Sequence, residues 1–129
     1  MQQNVKLNDL MFKALDHGVD SVSGGGALVP FVMTETNLQR FVASTLEESK
    51  EQADKYLVGL KGEPLAALSY DGYLTIEGKK FSAVFTKVFD LNQEKGILLA
   101  QRYEPKRFLR KFKLIGNPAA VEHPSNPWR

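Results

Sequence analysis

Residues Pro64–Glu104, PLAALSYDGYLTIEGKKFSAVFTKVFDLNQEKGILLAQRYE, decide the fold. Three runs of apolar, β-branched and aromatic residues are separated by two glycine-containing breaks, Glu77-Gly78 and Asp90–Gly96, the pattern of an antiparallel meander. A two-residue turn at Glu77-Gly78 sets the register, with Leu74 opposite Phe81, Tyr70 opposite Phe85 and Ala66 opposite Phe89. Leu68, Ile76 and Ala83 share that apolar face. The reverse face holds Ser69, Asp71, Tyr73 and Thr75 against Lys80, Ser82, Val84, Thr86 and Val88. A slip of one residue would mix the two sets. One apolar and one mixed face predict a sheet covered by helices on one side only. Asp71-Gly72 is read as a bulge or bend inside one long strand, since a turn there would leave a very short strand at 73–76.

Outward from the meander, two amphipathic helices are expected. In residues 5–22, Leu7, Leu10, Met11, Ala14, Leu15, Gly18 and Val22 recur at helical spacing, with Asp9, Lys13, Asp16 and Asp20 on the other side. Gly24, Gly25 and Gly26 end that helix. Thr45 with Glu48 three residues later fits a capping box opening a helix over 45–61, and Gly62 with Pro64 closes it. Between the helices, Ala27–Glu35 reads as a strand in which Pro30 demands an edge or a non-donating position. Thr36-Asn37 is a turn, and Leu38–Val42 a short partner strand. Beyond the meander, 107–115 reads as a further strand and 116–129, with three prolines, as an extended tail. The expected architecture is α+β: a mainly antiparallel sheet of five or six strands in a single domain, 1–115, with both helices on one face.

Composition bounds the function. The chain has 129 residues, 43% hydrophobic and 25% charged, as a single globular domain would. The absence of cysteine excludes disulfides, zinc–thiolate sites and thiol catalysis. No cofactor and no metal are expected. The N-terminus lacks the pattern of a secretion signal and no run is long enough to span a bilayer, so the reading is a cytoplasmic protein. The net charge of +2 argues for neither a nucleic acid nor a membrane partner.

Four constellations of residues bear on chemistry. Residues 102–113 hold six basic groups and one acid, net +5, so the remaining residues sum to −3. Lys106, Arg107, Arg110, Lys111 and Lys113, interleaved with Tyr103, Phe108 and Phe112, are a candidate nucleic-acid strand; the plainer reading is a solvated strand whose charges discourage edge pairing. Tyr70, Asp71, Tyr73, Gln101, Arg102 and Tyr103 are the best polar cluster. Asp71 beside Arg102 could form a bidentate ion pair and bind a small polar ligand, against a purely structural cluster. Asp16, His17 and Asp20 share a helix face, with too few ligands to make a metal site. The glycines at 24–26 follow a helix and precede a strand, the wrong order for a phosphate loop.

YDGY (Tyr70–Tyr73), the following EGKKFSAVF and the later AQRYEP (Ala100–Pro105) resemble a group of small bacterial proteins of unknown function. The resemblance covers both helices, LVPFV (Leu28–Val32) and the meander. It implies a stand-alone α+β domain and brings no catalytic residues. The functional expectation is therefore a non-enzymatic interaction or regulatory module that pairs with itself or another protein through its mixed sheet face or an edge. The alternatives are a small ligand-binding protein or enzyme using Asp71 and Arg102, and a nucleic-acid binder.

Overall fold

The computed structural model describes residues 2–128 and the side chains of 5–128. Helix α1 spans Gln2–Ser23, strands β1 and β2 span Phe31–Met33 and Leu38–Arg40, and helix α2 spans Leu46–Gly59. Strands β3 (Leu65–Ile76), β4 (Lys79–Asp90), β5 (Ile97–Glu104) and β6 (Lys113–Glu122) follow. All neighbours are antiparallel in one six-stranded sheet of order β2-β1-β3-β4-β5-β6. The chain is an α+β protein with a mainly antiparallel sheet.

The meander has the register that its turn dictates: Leu74 opposite Phe81, Tyr70 opposite Phe85, Ala66 opposite Phe89. Glu77 (φ 50°) and Gly78 (φ 79°) both take left-handed backbone, as a tight two-residue hairpin with the twist of the flanking strands requires. The ladder runs unbroken through Asp71 and Gly72, so β3 is one strand without the expected bulge. Gly72 serves packing instead: a Cβ there would lie 3.1 Å from the Phe85 ring.

The helices lie on opposite faces, which corrects the one-face expectation. Helix α1 covers the mixed face. A Cβ on Gly18 would meet Val84 Cγ1 at 2.9 Å, and Leu10, Met11, Ala14 and Leu15 share a core with Ala67, Val84, Val88 and Leu99. Ser69 and Thr86, which read as solvent-facing, are fully buried and bond to each other at 2.7 Å. A hydroxyl pair that satisfies itself can enter a core at little cost. The expected interaction surface of Ser69, Val84, Thr86 and Val88 is therefore core.

Helix α2 covers the other face through Ala53 and Leu57 on Ala66, Leu68 and Phe89. The Thr45 hydroxyl accepts from the Glu48 amide at 3.0 Å, the cap its sequence announces. Lys87 of β4 pairs with Asp54 of α2 at 2.6 Å. Beyond the helix, Ala83, Phe85, Leu98 and Ala100 form a further apolar cluster with Tyr70 and Leu74 against it.

The last strand lies later than expected. Strand β6 begins at Lys113 and takes in 116–122, the first half of the expected tail. Gly116 (φ 66°) and Pro118 conceal it in the sequence, and the ladder shifts register beside Gln101. The rest of the segment is held too. Asn126 donates to the carbonyls of Asp90 and Gln93, each at 2.8 Å, and Trp128 Nε1 donates to Leu57 O at 2.8 Å. No helix among the described residues is long and apolar enough to cross a membrane.

Candidate functional site

Strand β3 has twelve residues, but β1 pairs with only three of them, Ala67–Ser69. The Pro30 carbonyl is turned to the β2 side, where it accepts from the Phe41 amide at 2.9 Å, and the glycines before Ala27 let the chain turn away to α1. From Tyr70 to Ile76 the outer edge of β3 therefore carries no strand among the described residues. In a two-residue hairpin the closing pair, Ile76 and Lys79, is hydrogen-bonded, and bonding alternates from there. That parity turns the backbone N–H and C=O of Asp71, Tyr73 and Thr75 outward, as it turns those of Ala67 and Ser69 toward β1.

A hollow flanks this edge on each side. One, of about 330 Å³, lies on the α1 side between Gly26, Ala27, Asp71, Tyr73, Ser82 and Tyr103. The other, of about 440 Å³, lies on the α2 side between Leu28, Pro30, Leu46, Lys50, Tyr70 and Asp71. Tyr73 is 65% exposed at the rim, with the Lys80 ammonium 4.1 Å from its ring centre.

Inside the first hollow, Tyr103 Oη donates to Asp71 Oδ1 at 2.8 Å. Burial raises the Asp71 carboxyl above its ordinary range, and the bonds from Tyr103 and the Gly72 amide offset part of that rise. Burial, then the neighbouring carboxylate, makes the Tyr103 phenol harder to ionise. The pair is a fixed acceptor–donor unit at the base of a cleft, suited to orienting a polar group.

The expected cluster is only partly assembled. Asp71, Tyr73 and Tyr103 gather at the α1-side hollow. Asp71 lies opposite Val84 and hence Gln101, whereas Arg102 lies opposite Ala83, so alternation sends Arg102 to the other face. There its guanidinium rests 4.8 Å from the Phe81 ring centre, and the bidentate pair with Asp71 is not formed. Tyr70 also faces that way, stacked on Phe85 at 5.3 Å beneath the Lys50 ammonium. Burial and the Asp54 carboxylate push its phenol up to about 12. Gln101 is buried, and its amide nitrogen lies within bonding distance of the carbonyls of Arg102, Ile115 and Gly116 at the β6 irregularity. It is a structural residue.

His17 packs edge-on against Phe31 at 4.9 Å and meets Arg40 Nη2 at 3.1 Å. A guanidinium can only donate, so His17 Nε2 is the acceptor. Of the basic stretch, Lys106, Arg107, Arg110, Lys111 and Lys113 are all exposed. Tyr103 and Phe112 are spent on each other at 5.5 Å, which leaves Phe108 as the free ring. Sequence reasoning missed Lys79 and Lys80 as partners of this stretch; a hairpin tip and a distant loop share no sequence signal. In comparisons with known proteins, the chain matches no family, no curated protein and no solved structure.

Proposed function

We propose that the protein is a non-enzymatic interaction module that takes up an extended strand along the open edge of β3, and that a second copy of the chain supplies that strand. The observation that carries the reading is the run from Tyr70 to Ile76, unpaired on its outer side and flanked by two hollows. Strand addition satisfies the outward amides of Asp71, Tyr73 and Thr75 and extends the sheet. With a two-fold axis at Tyr73, the two Tyr73 residues face each other and Asp71 faces Thr75 of the second copy. Lys80 neighbours Thr75 in its own chain, within a side chain's reach of the incoming Asp71. The contact is isologous and closes on itself, as a dimer requires.

Light scattering across micromolar concentrations tests this directly. A dimer that Thr75→Pro dissociates is the expected result, because that substitution removes an outward amide while leaving the β4 ladder intact. A monomer throughout the range ends the self-pairing reading.

A second reading rests on the bonded Asp71–Tyr103 pair: a small ligand with a donor group held in the α1-side hollow. Nuclear magnetic resonance shifts that cluster at Asp71, Ser82 and Tyr103 on adding small amines and amides would support it. Shifts scattered over the surface would sink it.

A further inference from the structure

Residues 107–110, Arg-Phe-Leu-Arg, form an exposed turn between β5 and β6. Arg107 and Arg110 exchange backbone hydrogen bonds of 3.0 and 2.8 Å, so the turn is tightly closed. At its apex Phe108 is 93% and Leu109 91% exposed. Leu109 sits at φ 69°, a backbone region that a turn ordinarily gives to glycine or asparagine. A large aliphatic side chain thus stands in water at a position that resists it.

Lys106, Arg107, Arg110, Lys111 and Lys113 surround this apex, with Glu104 as the one acid in residues 104–113. At the base of the turn lies a cleft of about 490 Å³ whose walls include Arg107 and Lys113, Lys79 and Lys80 from the tip of the β3–β4 hairpin, and Glu104, which lies opposite Lys113. Two elements distant in sequence thus line one concavity with four basic residues, the Lys79 ammonium resting over the Phe81 ring and the Lys80 ammonium over Tyr73 on the other face of the hairpin. The whole-chain charge of +2 conceals this segregation, and with it the reason to consider a membrane.

The geometry points to a peripheral contact with an anionic phospholipid surface: Phe108 and Leu109 enter the boundary between headgroups and acyl chains, and the cleft at the base takes a headgroup phosphate. A closed convex turn with apolar residues at its point and cations behind them matches the layering of such a surface. A nucleic acid fits less well. Stacking needs aromatic platforms, yet two of the three local rings are packed together and Leu109 has no π-face. This site is separate from the β3 edge, and the inference does not depend on strand pairing.

The test is co-sedimentation of the full chain with vesicles of phosphatidylcholine, alone or with about 30% phosphatidylglycerol. Binding to the anionic vesicles only, weakened as salt rises from about 0.1 to about 0.5 M, is expected. Phe108→Ser with Leu109→Ser lowers the affinity about ten-fold or more and leaves the circular dichroism spectrum and melting temperature near those of the parent, since both side chains are exposed. Lys79→Glu with Lys113→Glu also weakens binding. No association with anionic vesicles, or association indifferent to the Phe108 and Leu109 substitutions, overturns the inference. Inorganic phosphate or a single-stranded oligonucleotide that binds the cleft while vesicles do not would overturn it equally.

Discussion

At the scale of single residues, Asp71 and Leu109 both sit where their chemistry resists them. The half-buried Asp71 carboxyl titrates above its ordinary value, so its contribution to stability is full below the unfolded carboxylate range and is lost as pH rises through the raised value. Asp71→Asn removes that loss while its amide oxygen can still accept from Tyr103. Its stability relative to the parent should therefore rise as pH increases through and above the ordinary carboxylate range, read by urea unfolding at several pH values. A difference that stays flat across that range would show that Asp71 titrates alike in both states. Leu109 carries a left-handed backbone costing about 1–2 kcal/mol, and glycine there costs about 0.5–1 kcal/mol in chain entropy. Leu109→Gly should thus raise stability by about 0.5 kcal/mol, visible as a higher urea midpoint, while weakening vesicle binding.

At the scale of elements, the meander was legible because its signals agree. The glycine turn sets the register, and Leu74, Phe81, Tyr70, Phe85, Ala66 and Phe89 then segregate to one face. Helix α2 was legible from Thr45 and Glu48, a local device that needs no tertiary partner. The side on which α1 packs was not. It depends on small residues meeting across a distance in sequence: Gly18 against Val84, and the Ser69–Thr86 hydroxyls closing on each other. Gly18→Ala places a methyl 2.9 Å from Val84 Cγ1 and should cost about 1–3 kcal/mol in urea unfolding, the range for overpacking. An unchanged midpoint would mean that α1 rides further from the sheet than its contacts indicate. The 116–122 part of strand β6 was missed because Gly116 and Pro118 are poor strand residues. What keeps the chain beside β5 there is the buried Gln101 amide, supplied from the neighbouring strand.

At the scale of the whole molecule, the C-terminal segment joins elements on one side of the sheet. Asn126 closes the β4–β5 loop, and Trp128 reaches α2 through Leu57 O while its ring meets Phe89 edge-on at 6.2 Å. Full burial makes a Trp→Ala change cost about 3–5 kcal/mol; the half-buried Trp128 should cost about 2 kcal/mol on substitution by alanine. Cleavage after residue 122 should accelerate in that variant under limited proteolysis. Protection equal to the parent would mean that Asn126 and the Gly96–Pro124 backbone bond hold the segment without the indole. The charge distribution also belongs to this scale, for the hairpin tip at Lys79 and Lys80 and the turn at 107–110 become one surface only when the sheet is assembled.

The sequence by itself determined the elements whose causes lie within a few residues of one another: the hairpin register, the α2 cap, the glycine break after α1. It also determined the α+β class, because alternation and helical periodicity are local patterns. Only the tertiary structure decided which face each helix covers, that Asp71 meets Tyr103 and not Arg102, and that β3 keeps an open edge from Tyr70 to Ile76. Those outcomes turn on strand alternation carried across β3, β4 and β5 and on the close approach of small residues. Both are set by pairings that no single stretch of the chain contains.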